Sequence, residues 1–279
     1  MGLHDLLRPY RAAFASRFLL MLQYRTAAYA GFVTQCWWGA LKVMVLAAFY
    51  GSTSASASAP ISLQHAITYT WLAQGLFALL PWSGDPDVAQ AVRTGTIVYD
   101  RLRPVDVYAL WFARSAGWIA ARVLPRAALM AGFAGLALPL AGLGAWAWQP
   151  PAGWMACLGF AVSMPLAVLL STAMVMLLNI AAAMALNEKG INTLAAPVVI
   201  VLSGSLLPLA LMPDAWQTLL LLQPLAGVMD IPARIYFGQM AGEQLLAGLA
   251  LQCLWIALIV ALGRVAMART MRRLQVQGG

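Results

Sequence analysis

Long apolar stretches, separated by short polar or broken segments, dominate the pattern of this chain. A membrane helix needs about 20 mainly apolar residues, and the sequence offers six such stretches. They cover residues 27–49, 63–82, 127–148, 154–184, 191–211 and 243–267. The pattern predicts an all-α polytopic membrane protein with a six-span transmembrane domain over 27–267 and a tail over 268–279.

The first 26 residues follow a different pattern, in which apolar and basic positions alternate at helical spacing. Apolar side chains recur at Leu3, Leu6, Leu7, Tyr10, Phe14, Phe18 and Met21, with Arg8, Arg11 and Arg17 between them. This predicts an amphipathic helix over 1–26 that lies in the membrane interface with its Arg side chains toward the headgroups. The alternative is a helix that packs on the bundle.

Two stretches do not fit a regular membrane helix, and function is expected there. Residues 83–126 are polar at the start and rich in Arg, and residues 203–240 are interrupted by Pro208, Pro213, Pro224 and Pro232. Asp85 and Asp87 with Pro86 predict the start of a short helix, and Gly95 predicts its end. Residues 105–126 are open to a second interpretation, as another interfacial helix.

Charge is scarce and unevenly placed. Hydrophobic residues make up 62% of the chain and charged residues 9%, with a net charge of +8. Nearly all Lys and Arg outside the apolar stretches fall on one side when the stretches are threaded across a bilayer, with Arg234 as the outer exception. This bias predicts an inner-membrane protein with both termini in the cytoplasm. Spread over membrane-flanking loops, these charges favour a lipid partner and argue against nucleic acid.

The candidate chemistry excludes several classes. Cys36, Cys157 and Cys253 share no metal or disulfide spacing, and no phosphate-binding Gly-x-x-x-x-Gly-Lys motif is present. His4, His65 and the acidic residues lie in loops or near span ends, which disfavours a membrane enzyme and an ion-coupled secondary transporter. The secondary transporter is kept as the alternative function.

A few polar residues fall inside or beside the apolar stretches. Lys42, Gln74 and Asn179 are candidates for lining a translocation path. Lys42 is equally compatible with snorkelling to the surface, and the two amides with hydrogen bonds to neighbouring helices. Asn187, Glu188 and Lys189 form a predicted cytoplasmic turn, either solvated or part of a partner contact.

Three separated regions resemble one known family. Residues 92–106 read VRTGTIVYDRLRPVD, residues 203–238 contain Ser-Gly followed by spaced prolines and Ile-Tyr-x-Gly, and the chain ends in Val276-Gln277-Gly278-Gly279. This set resembles the permease subunits of ABC type-2 exporters, in the subfamily with a Gly…Leu-Arg-Pro loop. The resemblance covers the whole chain, and six spans with both termini inside agree with it.

The resemblance implies a division of labour. The chain would have no catalytic residues and bind no cofactor or metal, while two copies of a separate ABC ATPase would use ATP and Mg. A cytoplasmic coupling loop over 83–110 would contact that ATPase through Arg93, Gly95, Leu102, Arg103 and Pro104. A second permease protomer, identical or related, would complete the path. The expected cargo is a hydrophobic or amphipathic compound, such as a drug, an antibiotic or a lipid-like molecule.

The same family implies an outer re-entrant hairpin over 204–240. Its turns would be set by Gly204, Pro208, Pro213, Pro224 and Pro232. Asp214, Asp230 and Arg234 would then lie at the outer surface.

Overall fold

A computed structural model describes residues 3–51, 60–185 and 188–273, and these residues are helical with short connections. Asn187 and the Val276–Gly279 ending therefore lie outside the described residues. The helices are α1 Leu3–Leu22, α2 Arg25–Gly51, α3 Leu63–Gly75, α4 Pro86–Arg93, α5 Ile97–Arg101, α6 Val107–Gly132, α7 Trp154–Ala185, α8 Glu188–Leu202, α9 Asp214–Leu222, α10 Asp230–Tyr236 and α11 Glu243–Arg273.

Four of the described helical segments are long and apolar enough to cross a membrane. They are Arg25–Gly51, Val107–Leu140, Trp154–Ala185 and Glu243–Arg272. Helices α3 and α8 have only 13 and 15 residues, short for a bilayer core of about 30 Å at about 1.5 Å per residue. The all-α, multi-pass class is confirmed, and the six-span count stays a prediction.

The third apolar stretch begins earlier than predicted. We expected a span over 127–148 and considered a separate interfacial helix over 105–126, but α6 starts at Val107 and continues through a π-helical turn to Leu140. Asp106 fixes this start, because its carboxylate accepts a hydrogen bond from the Ala109 N–H at 2.7 Å. Residues 144–146 form a separate 3-10 turn.

Helix α1 packs along the first half of α6. The close approach occurs at Gly117, where an added Cβ would lie 2.5 Å from the Phe14 carbonyl oxygen. Leu6, Leu7 and Leu19 of α1 are exposed. The face of α1 that contacts α6 therefore packs on the bundle, as one of the two sequence-based alternatives proposed. The position of α1 in the membrane interface stays a prediction.

Polar contacts gather several distant segments at one end of the bundle, which we call the basic end. The Asp106 N–H donates to the Tyr10 hydroxyl at 3.1 Å, and Arg264 lies 3.5 Å from the Asp106 carboxylate. Arg93 lies 3.4 Å from Glu188 at the start of α8. The N-terminal helix, residues 83–110, the α7–α8 turn and the last part of α11 therefore share one end.

The opposite end carries the proline-broken segment 203–240. We expected the fifth stretch to reach residue 211, but α8 ends at Leu202, and Gly204 follows with a φ of +82°. That left-handed backbone conformation suits glycine, and an added Cβ would lie 2.5 Å from the Tyr69 hydroxyl. Helices α9 and α10, of 9 and 7 residues, are too short for a further crossing.

Candidate functional site

The segment 83–110, which we call the platform, is the polar surface at the basic end. Its first helix begins as the sequence predicts: Asp85 is the N-cap, its carboxylate accepts a hydrogen bond from the Asp87 N–H at 3.0 Å, and Pro86 is the first helical residue. Gly95 follows the last turn with a φ of +71°. A short, well-capped helix thus projects from the bundle.

The start of α4 is anchored by an arginine from α1. Nη2 of Arg17 lies 3.0 Å from Oδ1 of Asp85, and its Nη1 donates to Asp87. The Arg17 and Asp85 side chains are only 8% and 2% exposed. Burial raises the pKa of the Asp85 carboxyl, while the Arg17 charge acts in the opposite direction.

This placement corrects the prediction for Arg17. The sequence interpretation directed its guanidinium to lipid headgroups, but the side chain points into the protein. A signal was present in the sequence, since Arg17 lies at helical spacing from Tyr10 and Met21 and therefore on the same face of α1. The structure shows that Tyr10 and Met21 are partly buried. Buried Arg needs a carboxylate partner, and Asp85 and Asp87 were already recognised as a helix start.

Two asparagines, from α7 and α8, hold the same turn by side-chain hydrogen bonds. Oδ1 of Asn179 in α7 accepts a hydrogen bond from the Asp85 N–H at 2.7 Å, and Oδ1 of Asn192 in α8 accepts one from the Gly84 N–H at 3.1 Å. A side chain at position 84 would collide with Asn179, since its Cβ would lie 2.6 Å from Oδ1. Asn179, a candidate for the path, is thus engaged with the platform.

The second half of the platform is organised around the buried carboxylate of Asp100. It accepts a hydrogen bond from the Trp111 indole N–H at 3.1 Å. Arg103 and Arg114 lie 3.6 and 3.7 Å from its oxygens. Because Asp100 is tied to Trp111 of α6, the turn after α5 has a fixed position on the bundle.

The outer surface of the platform is exposed and partly apolar. Leu102 is 75% exposed and Tyr99 66% exposed. The five residues predicted for partner contact are all exposed and lie within one short stretch of chain, Arg93, Gly95, Leu102, Arg103 and Pro104. Residues 83–110 are thus fixed on the side that faces the bundle and exposed on the opposite side, which is the arrangement expected of a docking surface.

At the opposite end, Lys42 is tied to the broken segment. Its ammonium donates a hydrogen bond to the Ser205 carbonyl at 2.8 Å. A lysine inside an apolar helix requires such a partner, and Ser205 lies just after the left-handed Gly204. Gln74 is buried elsewhere, against Gly39 of α2.

Asp230 also connects separate segments at this end, and its position corrects a prediction. It was expected at the outer surface, but it is 1% exposed. Its carboxylate accepts hydrogen bonds from the Tyr69 hydroxyl at 3.2 Å, the Leu209 N–H at 3.1 Å and Nε of Arg234 at 2.6 Å. Asp214 is exposed as predicted.

The prolines expected to shape the outer segment mark its element boundaries. Pro208 precedes the 3-10 turn Leu209–Leu211, Pro213 precedes α9, and Pro232 lies in the first turn of α10. Pro224 lies between α9 and α10. These are positions where the missing N–H and fixed φ of proline are tolerated.

Neither end offers a metal site. Within residues 3–51, 60–185 and 188–273, no group of three His, Cys, Asp or Glu side chains is placed to hold a metal ion. The polar groups described above instead form contacts between helices.

Comparison with known proteins supplies the class. No curated protein and no solved structure matches the chain significantly. A family model described as "ABC-2 family transporter protein" matches residues 37–278, which include both the platform and the broken outer segment. That match extends over most of a multi-pass helical chain, which therefore belongs to the ABC-2 family as the membrane component of a transporter.

Proposed function

We propose that this chain is the permease subunit of an ATP-driven exporter, coupled to its ATPase through the platform. The observation that carries the proposal is the contrast within residues 83–110. Asp85 and Asp100 are buried and bound to other helices, whereas Tyr99, Leu102 and Arg103 are exposed. A rigidly mounted exposed patch can transmit a partner's movement into the bundle.

The partner is proposed as an ABC ATPase subunit in two copies, which binds ATP and Mg, with a second permease protomer completing the path. Leu102 would fill an apolar pocket of the ATPase. Arg93 and Arg103, whose side chains are 65% and 60% exposed, would face its acidic groups. We also propose that the chain belongs to the subfamily with the Gly…Leu-Arg-Pro loop.

The cargo is proposed as a hydrophobic or amphipathic compound exported from the cytoplasm across the bacterial inner membrane. Lys42, with its hydrocarbon stem inside α2, is the charged residue best placed to border the path. The basic end would then face the cytoplasm, in keeping with the positive-inside bias.

Affinity purification of the full-length chain from its native membrane tests the partner. We expect an ATPase that carries a phosphate-binding loop to co-purify with the wild-type chain. The pair Leu102→Ala with Arg103→Ala should abolish this co-purification, since both side chains are exposed, and Asp100 keeps its contacts with Trp111 and Arg114.

The matched control is Leu246→Ala with Arg269→Ala, which changes an exposed leucine and an exposed arginine outside the platform. The control should retain the ATPase. Equal retention by both pairs would remove the platform from the interface.

Inverted membrane vesicles test the energy source. We expect ATP-dependent uptake of apolar fluorescent cations in vesicles that contain the chain and its ATPase. Uptake driven by a proton gradient without ATP would instead favour the ion-coupled secondary transporter.

A further inference from the structure

Arg122 and Arg126 lie one turn apart on α6 and differ from the other arginines of the described residues. Six arginines have a carboxylate within 4.0 Å, at positions 17, 93, 103, 114, 234 and 264. Those without one are exposed wherever the side chain is described, except Arg122 and Arg126, which are both partly buried. The Asp85 carboxylate acts on Arg122 from beyond 4.0 Å and is already paired with Arg17, so these two half-buried like charges favour an additional anion.

Both guanidinium groups are held by surfaces that accept no hydrogen bonds. The Arg122 guanidinium lies over the Trp118 ring, 4.3 Å from its centroid. The Arg126 guanidinium lies against α2 at Gly31, where an added Cβ would be 2.5 Å from Nη2 and 2.8 Å from Cζ. Their planes are thus supported while their N–H groups stay available to an anion.

The position of the pair along α6 corresponds to the membrane interface. The uninterrupted apolar part of the helix begins directly after Arg126, with residues 127–140. Tyr24, just before α2, and Tyr29 in its first two turns are 59% and 57% exposed. Exposed tyrosines beside an arginine pair are typical of headgroup depth, where the available anion is a phosphate.

We propose that Arg122 and Arg126, with the recess at Gly31, bind the phosphate headgroup of an anionic phospholipid in the cleft between α2 and α6. Basic pockets between membrane helices bind such headgroups. The site is separate from the platform, and its occupation requires neither ATP nor the ATPase. A failure of the lipid proposal would therefore leave the proposed transport function untouched, and the reverse holds as well.

Native mass spectrometry of the full-length detergent-solubilised chain tests the site by titration with phosphatidylglycerol. We expect Arg122→Gln with Arg126→Gln to weaken the apparent affinity roughly tenfold or more, since each arginine near the surface contributes about 1 kcal/mol. The control pair Arg8→Gln with Arg11→Gln removes two exposed arginines of α1 and should leave the tightest bound lipid in place.

Two single glycine substitutions test the site without removing an arginine, so that misfolding of the arginine variants does not decide the result. Gly31→Ala places a methyl group where the Arg126 guanidinium now lies, and only the end of that flexible side chain has to move. We expect Gly31→Ala to weaken phosphatidylglycerol binding, whereas Gly132→Ala, which meets nothing within 4 Å, leaves it unchanged. Wild-type affinity in both the double arginine variant and Gly31→Ala would overturn the site.

Two further titrations distinguish the source of the phosphate. Phosphatidylcholine should bind without any difference between wild type and the arginine variant, because its headgroup has no net charge. Inorganic phosphate at millimolar concentration should not displace phosphatidylglycerol. Displacement by inorganic phosphate would overturn the assignment to a lipid.

Discussion

Arg17 and Asp85 are 68 positions apart in the chain, and Nη2 of the arginine lies 3.0 Å from Oδ1 of the aspartate. This contact connects the N-terminal helix α1 to the N-cap residue of α4 in the platform. The Asp85 carboxylate also caps α4, and the Asp85 backbone N–H donates a hydrogen bond to Asn179 of α7, so this one residue joins three helices. Movement of the platform would have to move α1 or break this pair.

Replacing Arg17 with Met should destabilise the protein strongly. Asp85 would remain buried without its counter-charge, and loss of one partner of a buried pair costs about 3–5 kcal/mol. The free energy of unfolding, measured by denaturant titration in micelles, should fall accordingly. Arg11→Met, at an exposed position of the same helix, should change it by less than about 0.5 kcal/mol. Equal effects of the two changes would contradict the importance of the pair.

Asp85→Asn should alter the pH dependence of stability in a defined direction. Because burial raises the pKa of Asp85 in the folded state, the folded protein holds this proton more firmly than the unfolded chain. The Asp85 contribution to stability therefore declines as pH rises from the unfolded pKa of about 3.9 toward the raised folded value. Asparagine caps helices equally well, so the change isolates the charge.

The measurement compares the unfolding free energies of the wild type and Asp85→Asn near pH 4 and at pH 7. We expect the wild type to lose stability relative to the variant at the higher pH. A relative gain at pH 7 would mean that Arg17 outweighs the burial of Asp85.

Asp230 should contribute far more to stability than its neighbour Asp214. Asp230→Ala leaves the Tyr69 hydroxyl, the Leu209 N–H and Arg234 without their shared acceptor, so we expect a loss of about 3–5 kcal/mol. Tyr69→Phe removes one hydrogen bond and should cost about 1 kcal/mol. Asp214→Ala, at an exposed position, serves as the control in the same unfolding titration and should have little effect.

Lys42→Met should loosen the broken outer segment. The Ser205 carbonyl loses its donor, so amides over residues 203–212 should exchange with deuterium faster, as read by mass spectrometry. Lys189→Met, at an exposed position in α8, is the control. Unchanged exchange with altered transport would show that Lys42 acts on the cargo rather than on the segment.

Gly117→Ala should disturb the contact between α1 and α6. The added Cβ would lie 2.5 Å from the Phe14 carbonyl oxygen and 3.3 Å from the Phe18 nitrogen, so backbone has to shift, at a cost of about 1–3 kcal/mol. Gly132→Ala on the same helix meets nothing and should be neutral or stabilising by up to about 1 kcal/mol. Thermal unfolding of both variants checks the difference, and identical midpoints would contradict the tight helix contact.

Local sequence signals predicted local structure well. The start of α4 at Asp85 and Pro86 and its end before Gly95 agree with the structure, because caps depend on neighbouring residues. The start of α6 was not predicted, because the Arg residues in its first half are typical of an interfacial helix. Only the structure shows that α1 packs against this half. The burial of Asp230 was missed because the donors to its carboxylate, the Tyr69 hydroxyl and the Leu209 N–H, lie in other parts of the chain.

The sequence by itself determined the class of the protein. Apolar stretches of membrane length and a one-sided distribution of Arg follow from the cost of placing polar groups in lipid, and that cost acts residue by residue. Only the tertiary structure decided which charges are paired. Arg17 contacts Asp85 and Tyr69 contacts Asp230 across many intervening residues, whereas Arg122 and Arg126 have no carboxylate within 4.0 Å in the described part of the chain. A charge's partner depends on helix packing in space, which periodicity along one helix does not encode.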